Sequence, residues 1–310
     1  MTPQDIIPAI VGPTASGKTE LGVKLALHFG NGEVISCDSV QIYKEIEIAT
    51  AKPTEEEKKG VPHHLIDYVS PHTNYTAADW AYDAAGMIKK IEGRGGRPII
   101  VGGTGFYLRT LMRPLFDSPK TDVALRQRLV KLNQVKGPAH LHRMLARLDP
   151  GAASSIPEND YVRTMRALEV RFQTGSPISE LQPKRSAPPE FADRIRLFVL
   201  NPPRAELYVR IDRRAKRHFD LGLVEEVQQL LARGVPPDSN ALGSHGYRRV
   251  REFLSGKRTL ESAVEKTAQD VRNYAKRQFT WFRKEASARW IEGFGGDPSV
   301  FEELVRLIDP

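Results

Sequence analysis

A parallel α/β sheet with flanking helices, interrupted by an all-helical insertion, is the fold class this sequence predicts. Three observations carry the prediction. Over the first ~115 residues, short apolar runs alternate with helix-length segments, the rhythm of β-α-β crossovers. One of those runs leads directly into Gly12-Pro13-Thr14-Ala15-Ser16-Gly17-Lys18-Thr19, which fits G-x-x-x-x-G-K-[ST] and makes the sheet one of P-loop type. From about Thr121 strand-like runs vanish, and they return only at Ile195.

Each element follows from its own residues. Ala9-Ile10-Val11 reads as a short buried strand, with Pro8 tolerable only at its start because it offers no N–H to a ladder. Thr19 to about His28 suits a helix, with Leu21, Leu25 and Ala26 as its apolar stripe. Glu33-Val34-Ile35-Ser36 is a second strand running to Asp38, Ala77 to Ile91 a helix, and Arg97-Pro98-Ile99-Ile100-Val101 a third strand entering Gly102-Gly103-Thr104-Gly105. Val123 to Val135, Ala139 to Leu148 and Val162 to Thr174 are expected helices, the last closed by Gly175. Gly175 to Pro189 reads as a loop. Ile195 to Leu200 is a fourth strand, after which Glu206 to Gly222, Leu223 to Arg233 and Leu260 to Arg283 read as helices. The expected division is therefore a sheet domain of residues 1–117 plus 191–310 and a helical insertion of residues 118–190.

Composition narrows the class of function. The chain has 310 residues, 40% of them hydrophobic and 27% charged, as in an ordinary globular protein. No apolar run approaches the ~20 residues that cross a bilayer, and the N-terminus lacks a secretory pattern. Cys37 is the one cysteine, which excludes a disulfide framework and a thiolate zinc cluster. A cytoplasmic location is the simplest expectation. The net charge of +8 is concentrated: Arg204, Arg210, Arg213, Arg214, Lys216 and Arg217 fall together, then Arg248, Arg249 and Arg251, then Arg272, Lys276, Arg277, Arg283 and Lys284. Such clustering is the footprint of a nucleic-acid binder, although solvated helix faces give the same pattern.

The P-loop predicts that a phosphate is held. Its glycines turn backbone N–H groups inward, Lys18 adds a point charge, and the Thr19 hydroxyl can ligate a phosphate-bound Mg²⁺. Ligands of parallel sheets sit at the carboxyl ends of the strands, where Gly12, Asp38 and Gly102 all lie. Asp38 is the acidic residue at a predicted strand end. It can bind metal through water or act as a general base, or it can merely cap the turn it begins; its place beside the P-loop favours a role in chemistry. Gly102-Gly103-Thr104-Gly105 is a second phosphate-compatible turn, and Thr104 offers a hydroxyl. His63-His64 has no cysteine or acidic partner at ligand spacing and reads as structural or substrate-lining. Phe279 and Phe282 are spaced to pack on the core, whereas the bases around them suit RNA.

Together these residues resemble the tRNA dimethylallyltransferase (tRNA isopentenyltransferase) family over nearly the whole chain. The P-loop is similar to that family's narrower form, and Asp38-Ser39-Val40-Gln41-Ile42-Tyr43 to its Asp-Ser-x-Gln-x-Tyr segment. Thr50-Ala51-Lys52-Pro53, His63-His64-Leu65 and Val101-Gly102-Gly103-Thr104-Gly105-Phe106-Tyr107 follow in order. Asn159-Asp160, Arg163 and Arg166 to Val170 resemble its insertion-domain signature, and Gly222 to Val227 with Tyr274-Ala275-Lys276-Arg277-Gln278 completes the set.

The resemblance implies transfer of a dimethylallyl group from dimethylallyl diphosphate to N6 of the adenosine just 3′ of the anticodon, in tRNAs reading codons that start with U. It implies Asp38, Thr104 and Arg214 as catalytic residues, Gly12 to Thr19 as the diphosphate or nucleotide cradle, and Mg²⁺ held by Thr19 with the diphosphate. It further implies tRNA contacts from Asp38, Ser39, Val40, Gln41, Thr104, Arg126, Asp160, Arg163, Gly246, Tyr247, Arg248, Lys276 and Arg277. The insertion would grip the anticodon stem-loop, and the protein would be a cytoplasmic monomer without membrane contact. The chain departs from the family's Ile-Gly-Tyr pattern at Ser244-His245-Gly246-Tyr247, where His245 precedes the Gly-Tyr pair. Two other classes remain open on the residues: an ATP-dependent kinase, weakened by the want of a separate strand-end Asp, and a non-catalytic, nucleotide-regulated RNA-binding protein.

Overall fold

Ile7–Val11, five consecutive buried residues, forms the strand on which the site is built in the computed structural model, which describes residues 6–309. In chain order the elements are β1 (Ile7–Val11), α1 (Lys18–Phe29), β2 (Gly32–Cys37), α2 (Glu55–Lys58), β3 (His63–His64), α3 (Ala77–Gly93), β4 (Arg97–Gly102) and α4 (Gly105–Met112). Five helices follow: α5 (Val123–Lys136), α6 (Pro138–Leu148), α7 (Pro150–Ser155), α8 (Tyr161–Thr174) and α9 (Ile178–Leu181). The chain then continues through β5 (Ile195–Asn201), α10 (Arg204–Asp220), α11 (Leu223–Ala232), α12 (His245–Leu254), α13 (Leu260–Phe282), β6 (Arg289–Glu292) and α14 (Pro298–Ile308). It divides into two units, one made of the residues through Met112 and from Pro189 on, the other of Arg113–Pro188.

The first unit holds a wholly parallel sheet in the order β3-β2-β4-β1-β5-β6. Alternation along the strands fills two cores. Ile7, Ala9 and Val11 point to the face covered by α3 and α11, with Trp80, Ile88, Leu223 and Val227. Ile10 points to the other face, against Leu21 and Leu25 of α1 and Val300 and Leu304 of α14. Burial on both faces explains why the strands read as unbroken apolar runs. Pro8 lies opposite Arg196 of β5, one residue before pairing with β4 begins at Ala9, so no β4 ladder bond is lost to it. β3 and β6 were not expected. Both are short edge strands, and neither His63-His64 nor Arg289-Trp290-Ile291-Glu292 is an apolar run.

The second unit is all-helical around Leu129, Leu141, Leu145, Ala167 and Leu168. Glu169 is fully buried there and is neutralised by Arg126, whose Nε and Nη2 donate at 2.6 and 2.9 Å, and by Arg166 at 3.3 Å. A buried carboxylate without such partners would carry a penalty of several kcal/mol. Gly175, in the left-handed conformation, closes α8 as its sequence predicts.

Trp80 links the α3 side of the core to the site. It is fully buried, stacks on Tyr107 at 5.4 Å, and its Nε1 donates to the Ser36 carbonyl at 2.9 Å, two residues before Asp38. Trp80→Phe keeps an aromatic ring but strands that carbonyl. A loss of about 1–3 kcal/mol in unfolding free energy is expected, read from the urea midpoint; an unchanged midpoint would remove the Ser36 bond from the fold's energetics.

Candidate active site

The carboxyl ends of three neighbouring strands build the site. Val11 pairs with Gly102, and Gly102 with Cys37, so the loops after β1, β4 and β2 leave the sheet at one level. The P-loop turns sharply because Gly12 (φ 141°), Ala15 (φ 64°) and Gly17 (φ 86°) hold backbone angles that L side chains rarely adopt. Gly17 caps α1, so the loop's amides and the positive end of the helix dipole share one focus. Inside the loop, the Ser16 hydroxyl and the Lys18 ammonium both donate to the Pro13 carbonyl, at 2.8 and 2.6 Å. From outside, the loop after β6 braces it: the Gly295 amide donates to the Ser16 carbonyl at 2.8 Å, and a Cβ on Gly17 would lie 2.9 Å from the Gly295 nitrogen.

Two cavities open over these strand ends. One, of about 860 Å³, is lined by Lys18, Thr19, Lys52, Arg210, Arg214 and Arg217 among others, and its basic side chains outnumber the acidic ones, which include Asp38 and Glu47. The other, of about 530 Å³, is walled by Val40, Tyr43, Tyr75, Tyr107, Ile211 and Val271, with His245 and Arg277 also lining it. Thr14, Ala15, Asp38, Thr50, Arg214, His218 and Tyr274 line both, so Asp38 stands where the two meet.

Positive charge is crowded out of water here. Burial pushes the Lys18 ammonium down to about 8; Arg214 adds to that shift and Asp38 opposes it. Burial also lowers the Arg214 guanidinium, again opposed by Asp38. His218 is pushed down to about 4 by burial and then by Arg214 and Arg217, so it is neutral at pH 7. All three directions describe a desolvated crevice with surplus cations, whose charged forms an anion would stabilise.

The residues singled out in the sequence take distinct places. Asp38 Oδ1 accepts from the Val40 and Gln41 amides at 2.8 and 3.2 Å, so the turn-capping use is real and occupies one carboxylate oxygen. Thr104 Oγ1 accepts from the Ser39 amide at 3.2 Å; it lines neither cavity but holds the Asp38-Ser39 turn from behind. Gln41 spans its neighbourhood, donating to the Thr50 and Ala51 carbonyls and accepting from the Ser36 hydroxyl. Gly246 lines the smaller cavity, Arg248 is exposed, and Lys276 and Arg277 are exposed on α13. Tyr247 is fully buried, its hydroxyl donating to Glu226 and accepting from the Ala49 amide, so its ring is part of the core. Arg126, Asp160 and Arg163 belong to the helical unit, where Asp160 caps α8 by accepting from the Arg163 amide at 3.1 Å. His64 pairs with Glu33 at 2.6 Å and His63 bonds the Val61 carbonyl, both structural. Phe279 and Phe282 are buried, as their spacing predicts.

Sequence reasoning missed the tyrosine walls and part of the cationic face. Tyr43, Tyr75 and Tyr107 come from three separate segments, and no local pattern joins them. Arg210, Arg214 and Arg217 are spaced i, i+4, i+7 on α10, and that spacing alone places them on one helix face.

Comparison with known proteins gives a consistent result. The sequence model of a family described as IPP transferase matches residues 41–285. A tRNA dimethylallyltransferase of Koribacter versatilis is 46% identical over 303 residues, 96% of this chain and 96% of the relative. One of Geobacter sulfurreducens is 46% identical over 283 residues, 91% and 90% of the two chains. Among solved structures, the full-length tRNA isopentenylpyrophosphate transferase of Bacillus halodurans aligns with a TM-score of 0.71 at 38% identity, covering 98% of this chain and 95% of that one. A eukaryotic dimethylallyltransferase acting on tRNA aligns with a TM-score of 0.74 at 28% identity, covering 94% and 74%.

The lowered Lys18 has a measurable consequence. Below pH 8 the ammonium is already protonated and anion affinity is full; above it, binding must take up a proton. Affinity for inorganic diphosphate should therefore fall about tenfold per pH unit above 8, with proton uptake visible by calorimetry in two buffers. In Lys18→Arg, which stays charged, that dependence should vanish. A wild-type affinity that is flat from pH 7.5 to 9.5 would contradict it.

Proposed function

This chain belongs to the tRNA dimethylallyltransferase, or IPP transferase, family and is a prenyltransferase acting on tRNA; on that premise we propose that its two cavities receive the two substrates from opposite sides of Asp38. Dimethylallyl diphosphate places its diphosphate in the cationic cavity, on the P-loop amides, Lys18 and Arg214. The acceptor adenosine, the one 3′ of the anticodon in tRNAs reading codons that start with U, enters the tyrosine-walled cavity. The observation that carries this reading is that Asp38 and Arg214 line both cavities.

The chemistry follows from that position. The N6 lone pair attacks the allylic carbon, the carbon–oxygen bond to the diphosphate breaks, and its electron pair leaves with the diphosphate. Negative charge thus develops on the oxygens nearest Lys18, Arg214 and the P-loop amides, where fixed positive charge stabilises the transition state more than the ground state. An aromatic amine is weakly basic, so alignment and proton removal matter more than nucleophile strength. Oδ1 of Asp38 is committed to the Val40 and Gln41 amides, which leaves Oδ2 to take the N6 proton. Thr104 acts behind it by fixing the Ser39 amide. A stacked base cannot enter such a cavity, so the adenosine is flipped out.

Mg²⁺ fits the donors present only in company. The described residues hold no group of three or more His, Cys, Asp or Glu side chains placed to hold a metal ion, while the Thr19 hydroxyl is a hard oxygen donor lining the cationic cavity. The ion would enter with the diphosphate and supply further neutralisation of the leaving group. In the helical unit, Arg126, Asp160 and Arg163 are assigned contacts to the anticodon stem-loop; in the first unit, Gly246, Arg248, Lys276 and Arg277 are assigned contacts to the tRNA. Among the described residues no helix is long and apolar enough to cross a membrane; a cytoplasmic monomer accords with this reading.

Labelled dimethylallyl diphosphate, undermodified tRNA and Mg²⁺, without ATP, test the reading: label should enter the tRNA. A strict requirement for ATP would overturn it. Asp38→Asn keeps the Oδ1 acceptor of the turn and loses the base. Single-turnover transfer should slow at least about 100-fold while tRNA and diphosphate still bind; a wild-type rate would remove Asp38 as the proton acceptor.

A further inference from the structure

Gln278 is a buried polar side chain in the second turn from the C-terminal end of α13, and none of the roles above uses it. Its amide is satisfied at both ends by backbone of the site. Oε1 accepts from the Thr14 amide of the P-loop at 2.9 Å, and Nε2 donates to the Gly103 carbonyl at 2.9 Å. The orientation of the amide is dictated by chemistry: an N–H can meet only the oxygen, and a carbonyl only the NH₂. The fit is close. A Cβ on Gly103 would lie 2.1 Å from Gln278 Nε2, and one on Gly105 would lie 2.2 Å from the Trp281 ring, so this helix is seated directly on the loop after β4. Gln278 thereby ties the loop after β1 to the loop after β4, across the cavity that it also lines. Tyr274, one turn earlier on the same helix, lines both cavities.

We propose that Gln278 is a positioning residue for the diphosphate: it sets the orientation of the P-loop at Thr14 and so the affinity of the cradle, without touching the acceptor. The inference rests on the reading of the P-loop as the diphosphate site. The geometry selects an amide. A carboxylate at 278 would still accept from Thr14 but would face the Gly103 carbonyl with a second acceptor and no donor. A protonated carboxyl restores both bonds, since its O–H can donate to Gly103 while its other oxygen accepts from Thr14.

The test uses the full chain, inorganic diphosphate and undermodified tRNA, with Gln278→Glu and Gln278→Met. At pH 8 both variants should bind inorganic diphosphate at least about tenfold more weakly than wild type, the size expected when a backbone group loses its buried partner. KM for dimethylallyl diphosphate should rise correspondingly, and tRNA affinity should stay within about twofold. Lys18, Asp38, Arg214 and Tyr274 line the same cavity, so each variant is compared with wild type at the same pH. At pH 6 the Gln278→Glu deficit should shrink as its carboxyl is protonated, while that of Gln278→Met should not. Diphosphate binding within twofold of wild type in both variants would overturn the proposal. So would an equal loss of diphosphate and tRNA affinity with a lowered melting temperature, or a Gln278→Glu deficit that is the same at both pH values. A wild-type protein that binds no diphosphate would instead overturn the reading of the P-loop itself.

Discussion

Positive charge held out of water is the constraint on which this crevice depends. Lys18 and Arg214 are both disfavoured by burial, and each is offset in part by Asp38 alone. The fold brings them together because the P-loop follows the central strand and α10 follows its neighbour β5, so one helix face delivers three arginines to the carboxyl end of the sheet. Such an arrangement is tolerable in a marginally stable protein only if the rest of the structure holds it in place. Trp80 under β2, the Gly295 amide on Ser16 and the packed tyrosines supply that support.

The same economy governs Asp38. One oxygen closes the turn that presents the residue; the other takes no part in that turn and is the one to which we assign the proton. In the proposed reaction the structural and chemical uses of the side chain are thus the two halves of one carboxylate, and the turn sets the direction of the second half. Thr104 extends this logic from a distance, since its hydroxyl takes the Ser39 amide and so anchors the residue next to Asp38. The glycines around Thr104 suggested a second phosphate cradle, yet Gly103 and Gly105 are small because Gln278 and Trp281 fill the space a side chain would need.

Much of the site was legible because its signals are local. A strand, a glycine loop and a helix in succession define the P-loop within about 25 residues, and Asp38 is marked by the end of an apolar run. The helical unit was legible for the converse reason: strand-like runs cease and amphipathic ones persist. What escaped was set by distance along the chain. His63-His64 and Arg289 to Glu292 become strands only because a neighbouring strand, β2 or β5, offers them hydrogen bonds. Tyr247 carries a polar tip, yet Glu226 and the Ala49 amide satisfy it inside the core.

By itself, the sequence determined the class of fold, the position of the P-loop and the identity of the acid beside it, because each is written in residues that are neighbours in the chain. Only the tertiary structure decided that Asp38 stands between two cavities, that three arginines of α10 share one of them, and that Gln278 joins Thr14 to Gly103 over 264 and 175 residues of separation. The reason is physical. A local pattern fixes where a backbone turns, whereas the charge, dryness and shape of a crevice are sums over segments that meet only when the sheet has closed its ranks.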